Sequence, residues 1–163
     1  MAGIPLYQTP ILPEWIDYNG HLRDAYYALI VSYATDALMD RIGIDAAYRE
    51  RTGCTLYTVE MHIHYLYEVK QADTAIVQLR IAGADSKRIH AALEFLRAGH
   101  TDLAATAEVM LLHVRQQGES VRTTPFAPAV AAAIAQLQAA SAALAPDGPG
   151  SRCIGLPAAA RPA

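Results

Sequence analysis

Apolar residues recur at three- and four-residue spacing through Leu22, Ala25, Tyr26, Leu29, Ile30, Tyr33, Ala37, Leu38 and Ile42, and Gly43 stands where a left-handed C-terminal cap belongs. The pattern predicts one helix of about 20 residues, roughly 30 Å long at 1.5 Å per residue. From Cys54 the period drops to two, with candidate strands over 55–67, 74–83, 87–97 and 103–115. In the third, Ile89, Ala91, Leu93 and Phe95 alternate with Arg88, His90, Ala92 and Glu94, as a sheet with one buried face requires. The separators Val69-Lys-Gln-Ala-Asp73, Gly83-Ala-Asp85 and Ala98-Gly-His-Thr-Asp102 are short, which predicts that these strands pair in chain order as an antiparallel meander. A ten-residue strand spans roughly 33 Å. Helix and sheet therefore match in length, and the expected fold class is α+β, one long helix laid along a curved antiparallel sheet.

The ends of the chain read differently. Residues 4–14 carry Pro5, Pro10 and Pro13, compatible with an edge strand or extended lead-in but not with a helix interior. Residues 125–144 read as a second, Ala-rich helix with Val130, Ile134, Leu137 and Leu144 as a weak apolar stripe. Beyond that, Pro, Gly and Ala dominate, so the expectation is a domain over 1–145 and a loosely held tail over 146–163. A length of 163 residues suits one such domain.

Composition narrows the function classes. No apolar run approaches the ~20 residues that a membrane span needs. Thirteen Lys and Arg against sixteen Asp and Glu give a net charge of −3 and no basic field for nucleic acid, so any anionic ligand must be met by local charge. Cys54 and Cys153 do not suggest a disulfide framework, and Met1-Ala-Gly-Ile-Pro5 does not read as a secretory leader, so a cytoplasmic location is expected. All nine tyrosines and the single tryptophan lie within residues 7–67. That skew suggests an aromatic-lined site in the first part of the chain, set against a core that is simply Tyr-rich on one side.

Asp17-Tyr-Asn-Gly-His21 followed by Tyr26-Tyr27 resembles the Asp-x-x-Gly segment that opens the central helix of hotdog-fold acyl-CoA thioesterases of the 4-hydroxybenzoyl-CoA thioesterase type. Val59-Glu-Met-His-Ile-His-Tyr-Leu66, running to Ala72-Asp73, is similar to the second strand and turn of that family, with Ala72 where Gly is usual. The resemblance covers roughly residues 5–135. Trp15-Ile-Asp-Tyr-Asn-Gly-His21, Ala34-Thr-Asp-Ala-Leu38, Tyr57-Thr-Val-Glu60, Gly83-Ala-Asp-Ser-Lys-Arg88 and Ala107-Glu-Val-Met-Leu-Leu-His-Val114 more closely resemble the thioesterases of carnitine breakdown, including those fused to carnitine dehydrogenases. What the resemblance implies is a hotdog fold, hydrolysis of betainyl-CoA, no metal, and no cofactor beyond the CoA carried by the substrate. It further implies a homodimer with sites at the subunit interface, a homotetramer being a possible further assembly.

Thioester hydrolysis needs a nucleophile or a base for water, and donors aimed at the oxygen that gains charge. Asp17 is the candidate carboxylate, in either role, and the first-turn amides of the following helix are the candidate donors. A capping or turn carboxylate is the competing reading of Asp17. Asn19 either donates to the carbonyl or makes the Asn-Gly turn; His21 either orients Asp17 or caps the helix. A trimethylammonium group would be held by aromatic faces, at about 2 kcal/mol or more when desolvated. Trp15 and Tyr18, which flank Asp17, are the first candidates, with Tyr26, Tyr27, Tyr57 and Tyr65 completing the pool. Glu60 and His62 are candidates for the acyl pocket. Together with His64, His90 and His113 they could also suggest a metal, but strand alternation explains that spacing without one. Lys87 and Arg88, after the Gly83-Ala-Asp85 turn, are candidates for the CoA phosphates. Two further classes stay open: a hotdog acyl-CoA hydratase or dehydratase, and a noncatalytic module binding a quaternary ammonium.

Overall fold

The period-two segments form a six-stranded antiparallel sheet in the computed structural model, which describes residues 3–144. The tail expected over 146–163 lies outside the described residues. In chain order the elements are β1 (Ile4–Pro10), a 3₁₀ turn (Pro13–Trp15), α1 (Asp24–Arg41), α2 (Ala46–Thr52), β2 (Cys54–Tyr65), β3 (Thr74–Ala84), β4 (Arg88–Arg97), β5 (Leu103–Gln117), β6 (Ser120–Thr123) and α3 (Pro128–Ala142). The α+β architecture expected from the pattern is the one observed.

The sheet order is β1-β3-β4-β5-β2, with β6 paired to β5. This corrects the expected meander: β3, β4 and β5 do follow one another, but β2 pairs with β5, Cys54 opposite Arg115 and Tyr65 opposite Ala105. Residues 66–73 are therefore not a hairpin turn. They carry the chain from one edge of the sheet to β3, on the other side of β5 and β4, and are held on the way by the amide of Leu22 donating to Val69 O at 2.8 Å. Val69 itself is fully buried.

Inward-facing Ile89, Ala91, Leu93 and Phe95 of β4 and Ala107, Val109 and Leu111 of β5 share one core with Ile30, Ala34 and Leu38 of α1. Each large aliphatic side chain buried there contributes about 1.5–3 kcal/mol. The long helix begins at Asp24, two residues later than its apolar spacing suggested, because Leu22 is bridged to Ile16. It closes at Ile42, and Gly43 follows with φ 82°. The short α2 was not foreseen from the pattern. Asp45 accepts from the amide of Tyr48 at 2.7 Å at its start, and Gly53 ends it in the left-handed conformation. The second helix expected over 125–144 is α3, with Pro128 in its first turn and Val130 and Ile134 buried. Buried Ser141 accepts the amide of Ile81 at 2.9 Å, satisfying a β3 donor beyond the end of β1.

Candidate active site

Residues 15–23 form a closed loop ahead of α1. Ile16 bridges Leu22, the amide of Asp17 donates to His21 O at 2.8 Å, and that of Arg23 donates to Trp15 O at 3.0 Å. Gly20 turns the chain at φ 83°, a conformation that a side chain would strain. Inside the loop, Asp17 Oδ1 accepts the amides of Asn19 at 2.8 Å and His21 at 3.0 Å, while Oδ2 has only the Asn19 side-chain amide at 3.5 Å. Those bonds, the His21 amide first, hold the Asp17 carboxyl below its ordinary value of 3.8. Asn19 thus makes the turn and also touches the carboxylate. His21 orients Asp17 through its backbone, and its ring is directed elsewhere, Nε2 lying 3.0 Å from Glu68 Oε2. The Arg23 side chain makes no capping bond at the start of α1, but Asp24 Oδ1 accepts the Ala25 amide at 2.8 Å and the Tyr26 amide donates to Arg23 O at 3.0 Å, so what the first turn presents beside this loop is the helix dipole, offset in part by the Asp24 carboxylate.

Next to the loop lies a cleft of about 620 Å³ walled by His21, Leu22, Asp24, Tyr27, Tyr65, Leu66, Tyr67, Glu68, Lys70 and Arg97. Its construction depends on the crossing segment: His21 bridges Lys70, and Leu22 is tied to Val69, so residues 66–70 run beside the entrance to α1. Tyr27 is buried, with its ring 5.1 Å from both Tyr65 and Phe95, and desolvation raises its hydroxyl to about 12. Tyr65 and Tyr67 are 49% and 57% exposed. Arg97 Nε is sealed from solvent and has no hydrogen-bond partner among the described residues. Sequence reading missed Arg97 and the segment from Leu66 to Lys70. Strand alternation held the signal for Arg97, since the face that carries Ile89, Ala91, Leu93 and Phe95 continues to position 97.

The other candidates fall elsewhere. Trp15 is buried and stacked on Tyr26, centroids 5.5 Å apart, whereas Tyr18 is 93% exposed, so the two form no shared cage within one protomer. Glu60 and His62 alternate with Met61 and Ile63, which pack on the core, and so occupy the sheet face turned away from α1. There they pair with each other at 3.2 Å beside a second pair, His90 and Glu108 at 2.7 Å, around a depression of about 220 Å³. Among the described residues no three His, Cys, Asp or Glu side chains are placed to hold a metal ion. His113 is buried: its Nδ1 donates to Thr124 O at 2.8 Å, and Nε2 lies 3.2 Å from the Tyr48 hydroxyl. Lys87 and Arg88 sit at the β3–β4 turn, nine residues along β4 from Arg97, about 30 Å at strand rise. Asp85 binds the amides of both and holds the Arg88 guanidinium through Oδ2, and that guanidinium lowers the Asp85 carboxyl to about 2.

Comparison with known proteins gives a consistent picture. The profile of the thioesterase-like superfamily matches residues 11–134. The chain is 47% identical over 152 residues to the betainyl-CoA thioesterase of Pseudomonas aeruginosa, covering 93% of this chain and 94% of that one. It is 40% identical over 149 residues to the L-carnitine dehydrogenase/betainyl-CoA thioesterase of Agrobacterium fabrum, covering 90% of this chain but 29% of that longer one. A solved Staphylococcus aureus structure in complex with CoA superposes with a TM-score of 0.85 at 29% identity, over 96% of this chain and 98% of that one. At 14% identity, a 4-hydroxybenzoyl-CoA thioesterase complex superposes with a TM-score of 0.73 over 82% of this chain and 99% of that one, a likeness of fold alone.

Proposed function

The chain belongs to the thioesterase-like superfamily and is an acyl-CoA thioester hydrolase; from that premise we propose that its substrate is betainyl-CoA, cleaved to betaine and free CoA. The observation that carries the reading is the Asp17 loop set against a cleft at the start of α1. Identity to the P. aeruginosa betainyl-CoA thioesterase supports the acyl group.

Asp17 is the reacting carboxylate. Its Oδ1 is committed to two amides, so Oδ2 is the oxygen free to attack the thioester carbon or to take a proton from attacking water. The positive end of the α1 dipole polarises the carbonyl oxygen, whose growing negative charge it stabilises more as the tetrahedral state forms. Collapse of that state breaks the C–S bond and releases CoA thiolate; where Asp17 has attacked directly, water then hydrolyses the mixed anhydride to betaine and restores the carboxylate, and where it has served as base, the acyl group leaves at once as betaine. Beyond the CoA carried by the substrate, no cofactor enters these steps.

The active unit is a homodimer on this reading. β2 is the terminal strand of the sheet and exposes Tyr57 and Val59, an edge that invites pairing. Antiparallel pairing of two β2 strands about a dyad sets the Cys54 end of one beside the Tyr65 end of the other. The Cys54 end is also the end where β4 begins at Arg88. Lys87 and Arg88 of the partner subunit then approach the cleft, where CoA phosphates could reach them.

A thiol-release assay over short and quaternary-ammonium acyl-CoAs tests the reading with wild type and Asp17→Asn. The amide oxygen of Asn can still accept from the Asn19 and His21 amides, so Asp17→Asn is expected to keep its far-UV circular dichroism and lose at least ~100-fold in kcat. Hydration of a 2-enoyl-CoA without thiol release would instead make the chain a hydratase. Calorimetric binding of free betaine without turnover would make it a binding module.

A further inference from the structure

Resting on the betainyl-CoA reading, we propose that Tyr65 and Tyr67, with the Glu68 carboxylate beside them, form the subsite that selects a trimethylammonium acyl group. The first observation is exposure in a concave place: both rings stand on the cleft wall, 49% and 57% exposed, while Tyr27, Trp15 and Tyr48 are each buried at 7% or less. The second is rigidity. The amides of Leu66 and Tyr67 both donate to Ala104 O, at 2.9 and 3.0 Å, and the Tyr65 ring rests edge-on against Tyr27 at 5.1 Å with its hydroxyl 3.5 Å from Asp24 O. The Tyr65 ring, held in this way, loses little freedom when a cation docks on it, and the backbone that carries Tyr67 is fixed beside it.

Position is the third. In betaine one methylene separates the nitrogen from the carbonyl, so a cation subsite must border the reacting carboxylate. Here Glu68 pairs with His21 at 3.0 Å, the His21 amide binds Asp17 at 3.0 Å, and Tyr67 adjoins Glu68 in the chain. The pair of rings offers cation–π attraction, and the carboxylates of Glu68 and Asp24 on the same wall add charge of the right sign. That wall also carries two cations, Lys70 from the same connecting segment as Tyr67 and Glu68, and Arg97 from the end of β4; the carboxylates of Glu68 and Asp24 offset those charges, and the ring faces supply the discrimination.

The test compares kcat/KM for betainyl-CoA with that for its neutral isostere 3,3-dimethylbutanoyl-CoA, in wild type, Tyr67→Leu, Tyr65→Leu and Tyr65→Phe. The ratio cancels any loss common to both substrates. In wild type the subsite is expected to contribute roughly 30-fold to the preference for the cation, the factor that about 2 kcal/mol provides, on top of the higher intrinsic reactivity of the ammonium-substituted thioester, which is the same in every variant. Each leucine variant should reduce that ratio at least ~5-fold, and Tyr65→Phe, which keeps the aromatic face and its packing on Tyr27, should retain most of it. A preference that survives Tyr67→Leu and Tyr65→Leu intact overturns the subsite while leaving the betainyl-CoA reading standing. A wild-type ratio near one, or no turnover of betainyl-CoA, overturns the substrate reading and the subsite with it. Tyr67, the more exposed ring, can be changed without removing a core contact, so the test does not depend on Tyr65→Leu folding.

Discussion

Replacing Arg97 with Met should make the protein more stable and less active. The Nε of Arg97 is buried and unpartnered on a wall that also carries Tyr27, so the free protein bears the cost of a desolvated donor. Such a group costs about 1–3 kcal/mol. Met keeps the aliphatic stem that packs against the inner face of β4 and removes the donor. Because the rest of the guanidinium retains some contact with water, the low end applies, about 1 kcal/mol of gain. For a chain of this size that raises Tm by roughly 2–4 °C. A buried donor retained at a net cost belongs at a site whose partner arrives with the substrate. Where that partner is the thioester oxygen as it gains charge, with Arg97 adding to the α1 dipole, the loss should fall on kcat by about 10-fold or more, with KM changing less. Differential scanning calorimetry and the thiol-release assay read the two effects. An Arg97→Met protein with unchanged or lower Tm and wild-type kcat would refute the reasoning on both counts.

Two further outcomes follow from bonds elsewhere in the chain. Ser141→Ala strands the buried amide of Ile81, at a cost of about 1–3 kcal/mol, and should lower Tm by roughly 2–4 °C for each kcal/mol; a change below about 1 °C would mean that the amide finds another acceptor. The Asp17 carboxyl lies below its ordinary 3.8, so the stability it supplies is fully present above that pH and is lost as pH falls through its lowered folded value. Activity should follow the same sign, with no acidic limb of kcat/KM from Asp17 between pH 7 and about pH 4; a limb above about pH 5 that persists in His21→Gln would show another carboxylate at work.

The two periods were legible because each is enforced locally: α1 must bury Ile30, Ala34 and Leu38 on one stripe, and β4 must bury alternate residues. The neighbour of β2 was not, because pairing with β5 is decided by contacts some fifty residues apart along the chain, and the short run from Tyr65 to Thr74 looks like any hairpin connection. The cost of that misreading was large. If 66–73 were a turn, Tyr67, Glu68 and Lys70 would lie at a sheet end with no business near Asp17. As a crossing segment bridged to His21 and Leu22, they become a wall of the cleft.

The same correction resolves the tyrosine skew ring by ring. Trp15 and Tyr26 stack on each other, Tyr7 leans on Tyr33 and Tyr48 meets His113, contacts that need no ligand to explain them. Nearness to Asp17 in sequence does not bring Trp15 and Tyr18 together, because the loop that closes around Asp17 turns Trp15 into the core and leaves Tyr18 on the surface of the protomer. Tyr65 and Tyr67 are remote in sequence; Tyr65 ends β2 against Tyr27 of α1, and Tyr67 reaches the site through the crossing. A ring contributes to recognition where the fold leaves its face both held and open, and in the described residues the cleft at the start of α1 is where tyrosines meet both conditions beside carboxylates.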